Sequence, residues 1–128
     1  LHLCDRRQRQ MCIRDSGIRC HFDYQLTATP ESETVRFTLY RLLQELLNNV
    51  CKHADASEVA IALFQQGTRL RLEVKDNGVG ISPDKIAGFG IQGMRERVSA
   101  LGGELTLESQ RGTRVIVNLP TNLQQTAC

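Results

Sequence analysis

One long apolar stripe set between short alternating segments limits what this chain can fold into. Val35, Leu39, Leu42, Leu43, Leu46 and Val50 fall at three- and four-residue steps, which places them on one face of an α-helix of about five turns. Thr29 reads as its cap, with Pro30 at the first helical position and acidic residues behind it; residues 53–56 read as its end. Before the helix, Ile18, Cys20, Phe22, Tyr24 and Leu26 alternate with polar residues, the period of a half-buried strand. After it, Val59, Ile61 and Leu63, then Leu70, Leu72 and Val74, alternate on either side of a turn at Gln65–Thr68.

Residues 76–90 hold four glycines and a proline and read as loop. Helical spacing returns through Ile91, Met94, Val98 and Leu101, and Gly102-Gly103 stops it. Leu105 and Leu107, then Val115, Val117 and Leu119, predict a last hairpin turning near Gln110-Arg111-Gly112. The order strand, helix, two strands, loop, helix, two strands predicts an α/β domain, a two-layer sandwich with one mixed sheet and its helices on one face. It occupies residues 17–120, followed by a tail over 121–128. Residues 1–16 carry neither period and read as an unstructured or foreign segment.

Charge narrows the partners. Residues 1–19 hold five arginines against two aspartates, while the remainder carries one net negative charge, so the domain has no electrostatic footprint for nucleic acid. No apolar run reaches the roughly 18 residues that span a bilayer, and no direct membrane contact is expected. The five cysteines are widely spaced without a CxxC pair, which points to free thiols in a reducing cytoplasm rather than to zinc or disulfides.

Four features carry candidate chemistry. Glu45, Asn49 and Lys52 share one face of the long helix. A carboxylate, an amide oxygen and an ammonium in one column suit a phosphate and Mg²⁺ site, although an ordinary solvated polar face has the same pattern. Asp76-Asn77-Gly78-Val79-Gly80 follows a strand directly. An aspartate there can accept from an exocyclic amine, and glycines let the backbone approach a flat ligand; an Asn-Gly turn uses the same residues. Gly88, Gly90 and Gly93 lead into the second helix, whose free amides suit phosphates. No Gly-Lys-Ser/Thr follows, so this is not a Walker loop. Gly112-Thr113 puts a hydroxyl beside a tight turn.

Taken in this order, the four features resemble the ATP-binding (Bergerat) fold of the GHKL superfamily. QELLNNVCKHA (44–54) resembles its N box, DNGVG (76–80) its G1 box, GFGIQGMRERV (88–98) its G2 box and RGT (111–113) its G3 turn. The Lys52-His53-Ala54 string and the GMRERV stretch are similar to bacterial sensor histidine kinases of the nitrate, desaturase-thermosensor and sugar-phosphate type. The short interval 81–87 suits their abbreviated lid.

The resemblance implies ATP and Mg²⁺ as cofactors and a role for each matching residue. Glu45 would polarise the nucleophile, Asn49 would ligate Mg²⁺, Asn48 is an N-box neighbour that could also point inward, and Lys52 would meet phosphate. Asp76 would bind the adenine amine with Thr113 behind it. Gly78 and Gly80 would shape the adenine wall, and Gly88, Gly90 and Gly93 the lid hinge and phosphate cradle. Arg95, Glu96 and Arg97 read as a solvated face, and His53 as a packing or capping residue.

None of His2, His21 and His53 reads as a phosphoacceptor. The resemblance therefore implies the cytoplasmic catalytic half of an inner-membrane sensor, acting on a separate dimerisation and phosphoacceptor domain with a response regulator downstream. A serine kinase of the anti-sigma-factor type on the same fold, and a nucleotide-binding module without phosphotransfer, stand as alternatives.

Overall fold

The computed structural model describes residues 6–13, 18–26, 32–53, 56–80 and 90–121. Six strands form one sheet: β1 (Arg6–Ile13), β2 (Ile18–Gln25), β3 (Glu58–Gln66), β4 (Arg69–Asp76), β5 (Glu104–Gln110) and β6 (Gly112–Pro120). Their spatial order is β1-β2-β3-β4-β6-β5. Helix α1 (Glu33–His53) carries the chain from β2 to β3, which pair in parallel, whereas all the other neighbours pair antiparallel. Helix α2 (Ile91–Ala100) precedes the β5–β6 hairpin.

Strand alternation assigns the faces. Val59, Ile61, Leu72, Val74, Val115, Val117 and Leu119 point to one side, into a core shared with Leu42, Leu46 and Val50 of α1 and Ile91, Met94 and Val98 of α2. Both helices therefore cover the same face. A second cluster of Leu26, Val35 and Leu70 closes the end of the sheet near the start of α1. The opposite face is polar. There the Arg114 Nε donates to Glu73 at 2.6 Å and its Nη1 to Glu108 at 3.0 Å, and Arg114 holds the Glu73 carboxyl below its ordinary range.

Two local readings differ from the structure. Arg6–Ile13 forms an edge strand on β2, across the boundary expected at residue 17. Edge pairing is made by backbone groups, so it needs no alternating apolar pattern in the added strand. The first turn of α1 is capped by Ser32, whose Oγ accepts from the Val35 N–H at 3.2 Å; Thr29 and Pro30 lie outside the described residues, as does the tail beyond residue 121.

The end of α2 follows the sequence closely. The Gly102 N–H donates to the Ser99 carbonyl at 3.0 Å and the Gly103 N–H to the Val98 carbonyl at 2.9 Å, and Gly102 has a φ of 81°. This paired arrangement is a Schellman cap. A Cβ at Gly103 would overlap the Asn118 carbonyl oxygen and press on Leu119 and Val98, so the glycine lets α2 end directly against β6. Gly103→Ala should destabilise the domain by about 1–3 kcal/mol through overpacking. Thr106→Ala, on the open face, should stay within about 0.5 kcal/mol of wild type. Equal denaturation midpoints for Gly103→Ala and wild type would contradict that close approach.

Candidate functional site

The site grows from a carboxylate that the fold takes out of water. Asp76 is the last residue of β4 and is 4% exposed. Its Oδ1 accepts from the Gly78 N–H at 2.8 Å and from the Thr113 N–H at 3.3 Å. Burial pushes the Asp76 carboxyl above its ordinary range, and the two backbone donors offset part of that rise. Beside it the Thr113 hydroxyl is buried and has no hydrogen-bond partner among the described residues. A desolvated carboxylate beside a buried hydroxyl offers hydrogen-bonding capacity that a polar ligand could use.

Two neighbours hold that arrangement. Gly112, at a φ of 99°, brings the start of β6 against the Asp76 carbonyl, where any Cβ would overlap the backbone oxygen. Asn77 clamps the other side: its Oδ1 accepts from the Ser57 and Glu58 N–H groups, each at 3.0 Å, and its Nδ2 donates to Ser57 Oγ at 3.0 Å. The Asn77 N–H donates to the Glu58 carbonyl at 3.2 Å. Asn77 thus fixes the strand end from which Asp76 projects. Gly80 follows with a φ of 80°.

A second group lies where α1 meets α2. Glu45 Oε1 accepts from Arg97 Nη1 at 2.7 Å, while Glu45 Oε2 lies 3.6 Å from the point where a Cβ would stand on Gly90. Gly90 has a φ of 72° and immediately precedes α2. The carboxylate is therefore held at the amino end of that helix, where unpaired N–H groups and the helix dipole favour anions. Asn49, one turn further along α1, is half-buried. Both groups border the same apolar core.

Residues 34–123 match the family described as "Histidine kinase-, DNA gyrase B-, and HSP90-like ATPase". The chain belongs to this ATPase family. It is 50% identical over 113 residues to the signal transduction histidine-protein kinase/phosphatase UhpB of Salmonella typhimurium, covering 88% of this chain and 23% of that protein. With the signal transduction histidine-protein kinase/phosphatase DegS of Brevibacillus brevis it shares 38% over 97 residues, covering 73% of this chain and 25% of that protein. Among solved structures, the blue-light activated histidine kinase of Erythrobacter litoralis EL346 aligns with a TM-score of 0.67 and 27% identity, over 86% of this chain and 37% of that one. The chain thus spans about a quarter of the length of these curated relatives.

Within the ATPase domain the expected site residues fall into distinct environments. Asp76 and Thr113 meet, with Gly78 donating to the carboxylate; Glu45 meets Gly90 and Arg97. Asn48 and Lys52 are exposed on α1. At about 100° per residue Asn48 falls on the far side of α1 from the buried stripe, so it does not take the inward position that the resemblance left open to it. Gly93 is exposed on α2, and a Cβ there would meet open space. Gly88 and the interval 81–87 lie outside the described residues, as does the side chain of His53. Arg95, Glu96 and Arg97 are all exposed, in keeping with the solvated-face reading, and Arg97 in addition reaches the Glu45 carboxylate. Sequence reasoning missed Arg97 and Asn77. The one available signal for Arg97 was its i+7 spacing from Gly90, which places both on one helix face.

A buried carboxyl with a raised pKa also sets a pH dependence. The folded domain holds the Asp76 proton more tightly than the unfolded chain does. Its contribution to stability therefore falls as pH rises from the ordinary carboxylate value through the raised one. Asp76→Asn lacks this dependence. Denaturant titrations without nucleotide should show wild type losing stability relative to Asp76→Asn across that window, then running parallel at higher pH. A constant difference at every pH would contradict the desolvation.

Proposed function

We propose that this chain is the catalytic, ATP-binding domain of a two-component sensor histidine kinase. It binds Mg-ATP and presents the γ-phosphate to a histidine on a separate dimerisation domain of the same protein. The observation that carries this reading is the desolvated Asp76 carboxylate beside the Thr113 hydroxyl, which has no hydrogen-bond partner among the described residues. An adenine offers an exocyclic N–H for the first and, through a water, ring nitrogens for the second. The acceptor position of the site and its hydroxyl fit one end of the nucleotide; the amino end of α2 fits the other.

The metal fits as well. Among the described residues no three His, Cys, Asp or Glu side chains form a cage for an ion, and none is needed for Mg²⁺. That ion is commonly held by one or two protein oxygens, with phosphates and waters completing its octahedron. The half-buried Asn49 amide on α1 would supply the protein oxygen, and the ion would neutralise charge on the transferring phosphate. Lys52, exposed one helical turn beyond Asn49, would reach phosphate as a mobile point charge.

The residues of this chain then divide the work. Asp76 orients the base, Gly78 and Thr113 orient Asp76, and Glu45 holds a carboxylate where an attacking imidazole must lose its proton. Glu45 would accept that proton, and bound ATP would supply the γ-phosphoryl group to the ring nitrogen with ADP as the leaving group. The phosphorylated histidine would then supply a response regulator. Among the described residues no helix is long and apolar enough to cross a membrane, which accords with a cytoplasmic domain of an inner-membrane sensor. His21, whose Nε2 lies 3.6 Å from the Glu58 carboxylate on the open face of the sheet, is placed for a surface ion pair and not for phosphoacceptance.

The test uses the full-length protein. Asp76→Asn should weaken ATP binding by about 1–3 kcal/mol, as expected for loss of a charged acceptor. Glu45→Ala should instead lower the phosphotransfer rate by on the order of 100-fold or more at near-normal ATP affinity. Wild-type affinity in Asp76→Asn contradicts the adenine reading, and an unchanged rate in Glu45→Ala or Asn49→Asp contradicts the catalytic one. Transfer of phosphate to serine would replace the histidine kinase with the anti-sigma-factor type.

A further inference from the structure

We infer that Arg97 is a positioning residue for Glu45, fixing one carboxylate oxygen so that the other faces the amino end of α2. The inference rests on the reading of Glu45 as the proton acceptor and gives a role to a residue of the 88–98 stretch that the sequence reading left on a solvated face.

The geometry is specific. Arg97 stands in the last turn of α2, and Gly90, Gly93 and Arg97 lie at i, i+3 and i+7 along one face. Long side chains on a helix lean toward its amino end, and Gly93 leaves open space where a Cβ would stand. The arginine therefore has a clear lane back along α2. At the end of that lane its Nη1 donates to Glu45 Oε1 at 2.7 Å, a distance typical of charge-assisted bonds. Glu45 Oε2 is the oxygen turned toward Gly90, 3.6 Å from its Cβ position. One oxygen is anchored and the other is aimed.

Exposure separates this role from a structural one. The two side chains are 44% and 31% exposed, and ion pairs so open to solvent contribute little to folding. A glutamate has three rotatable side-chain torsions, and without an anchor its carboxylate samples several rotamers. The pair also spans 52 residues of sequence to link α1 with α2, so it sets the carboxylate relative to the helix end where phosphate is read to bind. Its value lies in where it puts an atom.

Single-turnover phosphotransfer, ATP affinity and melting temperature are measured on the full-length protein for Arg97→Met, Arg97→Lys, Glu45→Gln and the Arg97→Met/Glu45→Gln pair. Arg97→Met should slow phosphotransfer by on the order of 10- to 100-fold, the scale expected for a misplaced catalytic group, with ATP affinity and melting temperature near wild type. Arg97→Lys should recover part of the rate, and the double variant should be no slower than Glu45→Gln alone. An unchanged rate in Arg97→Met overturns the inference. So does an equal slowing in the Glu45→Gln background, or a loss of ATP affinity matching the loss of rate, which would make Arg97 a phosphate ligand. Full activity in Glu45→Gln removes the reading of Glu45 itself, and the inference with it. A slow Glu45→Gln beside a fast Arg97→Met overturns the inference alone.

Discussion

Burying a carboxylate at the end of a strand requires donors, and here they come from backbone separated by a long stretch of chain. Asp76 Oδ1 takes the N–H of Gly78, two residues on, and that of Thr113, 37 residues on. The second bond exists because β6 lies against β4 and because Gly112 has no side chain to keep the backbones apart. Asn77 holds the same strand end to the beginning of β3. The acceptor is thus fixed by three strands at once, and preorganisation of this kind limits what ligand binding must spend on ordering the site.

The sheet supports a division of labour between its faces. The inner face is apolar and carries both helices; the outer face carries the Glu73, Arg114 and Glu108 ion pairs. Such solvent-facing pairs are worth little individually, and the fold's stability lies in the packing of α1 and α2 over the sheet. The functional groups stand along the border of that packing. Asp76 is adjacent to the buried Val74, and Glu45 adjoins the buried Leu46. Each stands beside apolar neighbours, while polar partners set the direction of its carboxylate.

Most of the fold was legible because its causes are local. The α1 stripe, the alternating strands, the Gly67 turn and the Gly102-Gly103 stop each depend on residues a few positions apart. β1 was not legible, since its pairing uses backbone groups that every sequence has. The site divides in the same way. Asp76 and Thr113 were marked by the glycines around them, whereas the Asn77 clamp and the Arg97 bridge are relations through space. Asn48 shows the opposite lesson, because helical periodicity alone places it on the outside of α1.

The strand order has a consequence for how this protein is made. Among the described residues β6 is the last strand in sequence, yet it lies between β4 and β5 in the interior of the sheet. Until it inserts, Asp76 lacks its Thr113 donor and the pocket wall is incomplete. Partly folded chains therefore lack this pairing, and the Asp76 carboxylate has both of its backbone donors only once β6 has docked. Any ligand that binds only the finished sheet would, by mass action, draw partly folded chains toward it.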